Sequence, residues 1–248
     1  MKTSAGIASM LIVLSCHAVA AADHDASDAS QQGASWNDLD QQAGALYDQG
    51  RYDEAVKVAQ EAIRVAEETF GTMHLNTATA LTHLASIYSA QDRPRQAIPL
   101  FQRALVIREA AFTPNHPDVV SSVNNLGLAY WAERKFSEAE VLLKRSLAAR
   151  ETQFPSGHPA LASSLSNLAQ LYSTEGKYGD AEPLYQRALV MWEQTLGAEH
   201  PLVVNMLPWY AACLRKLGKI PEAQALETRL TSSPPTPPVQ SSTSQPWQ

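Results

Sequence analysis

The sequence has 248 residues, 45% of them hydrophobic, and a net charge of −6 at neutral pH. The hydrophobic fraction is sufficient for a substantial core, while the acidic balance and the lack of long Lys/Arg runs argue against nucleic acid as a partner. Only two cysteines are present, Cys16 and Cys213, which is too few for a disulfide framework. The composition therefore predicts a fold that rests on apolar packing.

The first 22 residues have the pattern of a signal peptide. Lys2 provides a positive charge, residues 7–14 are apolar, and Ala18-Val19-Ala20 gives the small-x-small pattern that precedes a cleavage site. The apolar stretch is too short to span a membrane. We therefore expect export, most simply to a bacterial periplasm, with secretion or a buried N-terminal helix as alternative interpretations.

Cys16 leaves a lipid anchor open as another alternative. Residues 13–16 distantly resemble a lipobox, in which the cysteine becomes the lipidated N-terminus, but Leu14 is atypical at its position there. After cleavage at Ala20 or Ala22, Cys213 would be the remaining cysteine and no intramolecular disulfide could form. The helical spacing of Cys213 predicts a small buried residue. Residues 23–34 are small and polar, which is typical of a flexible linker.

A repeat of 42 residues organises the chain from about Ser35 to Thr231. The period is marked by four histidines: His74, His116, His158 and His200. A fixed period of this size is typical of stacked-repeat proteins. Each copy contains two segments with apolar residues at i, i+3, i+4 and i+7, which predict two amphipathic helices, named here helix A and helix B. Alanines recur where the two helices are expected to approach closely: Ala55, Ala97, Ala139, Ala181 and Ala223.

The connections between the helices carry turn and capping residues. Glycine after helix A predicts a left-handed turn, and two copies have other residues at the same position: Gly50, Asp92, Arg134, Gly176 and Gly218. Ser137 and Glu140 have the spacing of a capping box for helix B, and Asp53 is placed to cap the corresponding helix of the first copy.

Three prolines interrupt the helical patterns. Pro99 and Pro183 fall within about the first turn of helix B, where the loss of an N–H group costs little. Pro208 lies inside the last helix A and predicts a kink there. The His-Pro pairs at 116, 158 and 200 place proline at the first position of a helix, which it favours.

In these residues the repeat resembles the tetratricopeptide repeat. The helix A pattern L/V-x-x-L-A/G-x-x-Y, the loop G-R/K-Y/F and the helix B pattern E/D-A-E-x-L-Y-x-R-A-L match that family, most clearly at 138–142 and 181–189. The long period and the His-Pro motif are similar to the variety found in kinesin light chains and in many bacterial proteins. The resemblance covers about 4.5 to 5 repeats. It implies an all-α, right-handed superhelical solenoid of antiparallel helix pairs whose A helices line a partner-binding groove.

The sequence contains no recognisable catalytic or metal-binding motif. A nucleophile elbow, a phosphate-binding loop, paired cysteines and H-E-x-x-H are all missing. The four repeat histidines belong to different repeats, whose helices pack roughly 8–10 Å apart, whereas zinc ligands must all lie about 2 Å from one ion. We therefore expect these histidines to cap helices, and we predict no enzyme activity, no cofactor and no metal.

The candidate binding residues lie on helix A, at and around the position before the packing leucine. In peptide-binding members of the family this position points into the groove, where an asparagine can bond to an extended backbone. The set is His83, Ser121, Asn125, Leu128, Ser163, Asn167, Gln170, Asn205 and Trp209. These residues predict a non-catalytic scaffold of the bacterial envelope that binds a protein or peptide of unknown identity. The alternative is that these polar side chains only solvate the helices. No Lys/Arg set for a C-terminal carboxylate is present, so we do not expect that ligand.

The end of the repeat region leaves a second function open. The last helix B is predicted to stop near Leu230 without the polar capping helix that a solenoid usually needs, and residues 202–204 are apolar. A self-associating structural module, or an accessory subunit of an envelope assembly, is therefore the alternative, with a homo-oligomer formed through the last repeat. Residues 232–248 are rich in Pro, Ser and Thr, which predicts a disordered or polyproline-like tail, with docking of Trp247 as the alternative.

Overall fold

The computed structural model describes residues 35–155 and 157–232, which contain ten α-helices and no β-strand. The predicted signal peptide, the linker and all but the first residue of the tail lie outside the described residues. The helices are α1 (Trp36–Asp48), α2 (Tyr52–Phe70), α3 (Leu75–Ala90), α4 (Pro94–Ala111), α5 (Pro117–Ala132), α6 (Phe136–Gln153), α7 (Pro159–Thr174), α8 (Tyr178–Leu196), α9 (Pro201–Lys216) and α10 (Ile220–Ser232).

The helices alternate between the two types that the repeat predicts. Helices α1, α3, α5, α7 and α9 are A helices, and α2, α4, α6, α8 and α10 are B helices. Each A helix is joined to its B helix by a short turn, and the neighbouring helices from α1 to α4 and from α6 to α10 pack against each other in chain order. The predicted all-α architecture of paired helices is confirmed. Within the described ranges, no helix is long and apolar enough to cross a bilayer.

The chain divides into two compact units, with the boundary between Asn125 and Leu126 inside α5. In the first unit, α1 packs on α2, α2 on α3, α3 on α4, and α1 also touches α3. Its core joins Ala78 and Leu81 of α3 to Ala104 and Ile107 of α4, with Ile63, Leu75 and Leu100 packed around them.

The second unit contains the rest of α5 and the helices from α6 onward, again packed in sequence order, with α7 also touching α9. Leu143, Leu165 and Tyr185 are at most 1% exposed. The ring of Tyr185 stacks on Tyr210 of α9 at a centroid distance of 5.4 Å. Gly127 of α5 allows a close helix approach, because a Cβ atom there would lie 3.1 Å from the Leu143 side chain.

The four repeat histidines cap A helices, as the sequence predicts. The Nδ1 atom of each ring accepts a hydrogen bond from the backbone N–H two residues later, at 3.1–3.3 Å: Asn76, Asp118, Ala160 and Leu202. Three of the rings also stack on the phenylalanine four residues earlier: Phe70, Phe112 and Phe154. Each cap satisfies a backbone donor that the helix itself leaves unpaired.

The turn between helix A and helix B is left-handed in every copy. Gly50, Gly176 and Gly218 have φ values of 72°, 79° and 77°, and Asp92 and Arg134 adopt 58° and 63° at the same position without being glycine. The turn is therefore a property of the repeat, and two copies adopt it despite the cost that a Cβ atom adds there.

The predicted starts of the B helices are wrong by one to two residues, and so are the caps assigned to them. Helix α6 begins at Phe136 with Lys135 as its N-cap, so Ser137 and Glu140 do not form a capping box. Helix α2 begins after Arg51, and Asp53 instead accepts a hydrogen bond from Gln91 at 2.8 Å. The residue after the left-handed one becomes the N-cap, and Arg51 and Lys135 at this position make no side-chain capping bond.

Two of the three helix prolines lie deeper in their helices than predicted, and the third lies inside the last A helix as predicted. Because α4 and α8 begin early, Pro99 and Pro183 lie in the second turn rather than the first, so each removes one intrahelical bond. Helix α9 runs from Pro201 to Lys216 as one helix with Pro208 inside it. The kink at Pro208 stays a prediction.

Candidate partner-binding surface

From α3 onward the A helices are almost free of charged residues, whereas the B helices are rich in them. Helices α3 and α7 contain no Asp, Glu, Lys or Arg, and α5 contains Asp118 in its first turn. Helix α9 carries Arg215 and Lys216 in its last turn. Since solvated helix surfaces normally carry charges, this composition marks these A helices as the part of the repeat that could contact a neutral ligand.

In the first unit, one candidate binding residue lies in a buried hydrogen-bonded pair. His83 is 7% exposed, and its Nδ1 atom lies 2.6 Å from Oδ1 of Asp40, which is 4% exposed. The pair joins α3 to α1. Ser121 and Asn125 of α5 are half-buried. The role of Asp40 was not predicted from the sequence. His83 lies at the helix A position directly before the packing leucine, and Asp40 lies one residue before the equivalent position of the preceding copy.

In the second unit, the candidate residues divide by exposure. Leu128, Ser163 and Gln170 are 6%, 6% and 3% exposed, which places them under the surface rather than on it. Asn167 and Trp209 are half-buried, and Asn205 is exposed. The prediction of a binding surface therefore stays open for these last three residues, while the first three contribute to packing.

The charged residues of the B helices form ion pairs between successive copies. Within the first unit, Arg103 of α4 pairs with Glu67 of α2 at 2.5 Å. Within the second unit, Arg187 of α8 pairs with Glu151 of α6 at 2.9 Å, and Arg229 of α10 pairs with Glu193 of α8. In all three cases the arginine follows the glutamate by 36 residues, so the pairs repeat with the architecture.

Two arginines of the B helices, the buried Arg150 and the half-buried Arg108, join neighbouring helices and were missed by the sequence reasoning. Arg150 of α6 is 5% exposed, and its guanidinium donates to the Ala160 carbonyl at 2.8 Å and to the Ser164 hydroxyl at 2.7 Å. Burial lowers the pKa of Arg150 to about 10. Arg108, 42 residues earlier, donates to Ser122 at 2.6 Å. The repetition of the Arg–Ser pair at the 42-residue period is the signal that could have revealed it.

The last repeat replaces buried residues by an exposed ion pair. Arg215 of α9 and Glu227 of α10 form two hydrogen bonds of 2.7 and 2.6 Å, with side-chain exposures of 45% and 40%. The residues equivalent to Glu227 in the three preceding copies are large and at most 5% exposed: Phe101, Leu143 and Tyr185. Helix α10 thus presents charge at the position that a following repeat would cover.

Potential metal ligands are not clustered in the described part of the chain, and Cys213 is buried. No group of three or more His, Cys, Asp or Glu side chains in the described ranges could hold a metal ion. Cys213 is 1% exposed, and burial raises the pKa of its thiol, which disfavours the reactive thiolate. Cys213 is the buried small residue that its helical spacing predicts.

Comparison with known proteins decides the family. Family models for the tetratricopeptide repeat match residues 33–110, 84–152 and 161–202, which together make up more than half of the sequence. The chain belongs to the tetratricopeptide repeat family. No curated protein matches the sequence.

Solved structures of other proteins share the fold. A putative kinesin light chain of Podosopora anserina with nearly identical TPR-like repeats is 24% identical, with 78% of this chain and 92% of that chain covered and a TM-score of 0.66. BtubC (BKLC) of P. vanneervenii is 19% identical, with coverages of 81% and 83% and a TM-score of 0.67. PilF of Pseudomonas aeruginosa is 16% identical, with coverages of 82% and 78% and a TM-score of 0.58. At these identities the likeness shows the fold alone.

Proposed function

We propose that this tetratricopeptide repeat protein is a non-catalytic scaffold that holds an extended segment of a partner protein against its A helices. The repeat scaffold is typical of protein–protein interaction. The observation that carries the proposal is the division of charge: ion pairs occupy the B helices, while α3 and α7 carry no charged residue at all. A charged partner segment would lose its hydration there without gaining a counter-charge.

The chemistry of the A helices suits a peptide backbone. Asparagine offers both donors and an acceptor, so it can bond to the N–H and C=O groups of an extended segment whatever its side chains are. Asn167 and Asn205 lie on successive A helices of the second unit, and the half-buried Trp209 provides an apolar contact beside them. Such a surface favours shape and backbone recognition over the reading of a charged motif.

The test is affinity capture from the envelope fraction with the purified chain, followed by mass spectrometry. Substituting Asn167 and Asn205 together by Ala should remove most of the captured partner, while the helical content and melting temperature stay close to those of the parent. The matched control is Gln186→Ala, which removes an exposed amide from the B helix α8. Equal capture by the double variant and by the control would overturn the assignment to the A helices.

We also propose that the protein is exported and acts in a bacterial envelope. The support is the sequence pattern of residues 1–22. Mass determination of the chain purified from cells should show cleavage after Ala20 or Ala22. Incorporation of a labelled fatty acid that is lost in Cys16→Ser would show a lipoprotein instead, and an intact N-terminus in the cytosolic fraction would contradict export.

A further inference from the structure

One side of α9 is more exposed than the equivalent side of the preceding A helix, α7. Leu202, Asn205, Trp209 and Ala212 follow each other along one stripe of the helix, named here the α9 stripe. Asn205 and Ala212 are exposed, and Leu202 and Trp209 are half-buried. The equivalent residues of α7 for Asn205 and Ala212 are Ser163 and Gln170, which are only 6% and 3% exposed. The α9 stripe is therefore the side of an A helix against which a following A helix would pack.

The path of the chain leads directly to this stripe. After the B helix α8, residues 197–200 bring the chain back, and the next A helix, α9, contacts both α8 and α7. After the B helix α10, the chain continues into residues 233–248, of which residues 239–248 lie 42 positions after residues 197–206, the stretch that leads into α9. Because α9 and α10 are an antiparallel pair, the C-terminus of α10 lies near the N-terminus of α9, where Leu202 is.

Residues 233–248 have the composition of a segment that can lie on the α9 stripe but cannot form another helix A. They contain no Asp, Glu, Lys or Arg, and five of them are proline. Proline at this density prevents a helix and favours an extended backbone of about 3.1 Å per residue. The α9 stripe is also free of charged side chains, so neither surface would bury an unpaired charge.

We propose that residues 233–248 cover the α9 stripe as an extended segment, in the place where another A helix would stand. Sixteen residues at this rise reach roughly 50 Å, about twice the length of α9, which rises about 1.5 Å per residue. The segment is tethered beside the stripe, so its effective concentration is on the order of millimolar and a weak contact is enough to keep it bound. It covers the α9 stripe in the free protein, so a partner that binds Asn205 and Trp209 must first displace it.

The experiment uses the full chain with a photo-crosslinking residue in place of Thr236. Irradiation should give cross-links within one chain, and mass spectrometry should place them on α9 between Leu202 and Ala212. Ala212→Glu, and independently Asn205→Glu, should lower the cross-link yield by about tenfold, because each puts an unpaired charge under the segment. Ala148→Glu is the matched control, since Ala148 is an exposed alanine of the B helix α6, and its yield should equal that of the parent.

Three outcomes would overturn the proposal. Cross-links spread over the B helices would show that the segment has no preferred site, and a yield insensitive to both charge substitutions would place it elsewhere. Cross-links between chains, recognised by mixing isotope-labelled and unlabelled protein, would show that a second copy covers the α9 stripe. The experiment uses no captured partner, so a failure of the proposed scaffold function leaves this inference standing, and the reverse also holds.

Discussion

At the scale of single residues, the histidine before each A helix combines a hydrogen bond with ring stacking. His116 stacks on Phe112 at a centroid distance of 3.8 Å, whereas His200 has Leu196 at the equivalent position four residues earlier and caps its helix without such a stack. The acceptor in both is Nδ1, which must carry no proton to receive the backbone N–H. A substitution of His200 therefore tests the cap alone, whereas a substitution of His116 tests the cap and the ring stack together.

We expect His200→Ala to lower the free energy of unfolding by about 1 kcal/mol, as for other lost N-caps. His200→Asn should recover most of this loss, since asparagine can accept the same bond from Leu202 N–H. Urea denaturation followed by circular dichroism measures both. If the asparagine variant is as unstable as the alanine variant, the contribution of His200 comes from packing of the ring rather than from the cap.

Glu140 gives the second unit a dependence on pH. The hydrogen bond from Lys144, followed by those from Tyr172 and Lys177, lowers the pKa of the Glu140 carboxyl. A carboxylate whose pKa is lower in the folded state stabilises the fold above its unfolded pKa, and this contribution is lost as the pH falls through the folded value.

Stability of the parent should therefore fall more steeply between about pH 5 and pH 3 than that of Glu140→Gln. The difference at neutral pH should stay below about 1 kcal/mol, because the carboxylate is partly solvated. Glu138→Gln removes the same charge from an exposed position of α6 and serves as the control. Parallel stability curves for the parent and Glu140→Gln would refute the assignment.

At the scale of helices, the crossing of α5 with α6 depends on the small size of residue 127. A Cβ atom on Gly127 would lie 3.1 Å from Leu143 and 3.2 Å from Leu142, so an alanine fits only if a leucine shifts by a few tenths of an ångström. In contrast, a Cβ atom on Gly179 of α8 would meet nothing within 4 Å.

Gly127→Ala should change the free energy of unfolding by less than about 1 kcal/mol, because the gain in helix propensity offsets the contact. Gly127→Val should cost about 1–3 kcal/mol through overpacking. At Gly179, alanine and valine should both be neutral or stabilising, because only the gain in helix propensity acts there and no side-chain contact opposes it. A Gly127→Val variant as stable as the parent in chemical denaturation would show that the crossing tolerates a wider separation.

The helices and turns of this protein could be predicted from sequence because the same sequence pattern recurs in each repeat. The 42-residue period located the A and B helices, the histidine caps and the left-handed turns, including Asp92 and Arg134, where the residue itself gives no hint. The candidate binding surface was less predictable. Whether Gln170 or Asn205 reaches the surface depends on whether a neighbouring helix covers it. The sequence pattern of a single helix does not show this, because covered and uncovered faces of the A helices have similar residues. Arg150 was missed because a charged residue is normally assumed to be solvated.

At the scale of the molecule, the repeat formed by α9 and α10 is the last one in the described residues, and it differs from the others on the side that a following repeat would cover. Where Phe101, Leu143 and Tyr185 are buried, α10 has Glu227, and its partner Arg215 stands where α7 has Ser173. A solenoid needs a polar surface at its end, since an apolar one would invite stacking of another molecule. The Arg215–Glu227 pair supplies charge there without an additional capping helix.

Replacing the pair by the residues of an internal repeat, with Arg215→Ser and Glu227→Leu together, should turn this end into an adhesive surface. We expect the double variant to self-associate in a concentration-dependent way, measured by light scattering at micromolar to millimolar concentration, because an apolar leucine then lies where the next A helix would pack. The control removes another exposed ion pair, Glu61–Arg64 of α2, by Glu61→Leu and Arg64→Ser. If both variants associate equally, general loss of surface charge explains the effect. If only the first does, the ion pair is what ends the stack of repeats.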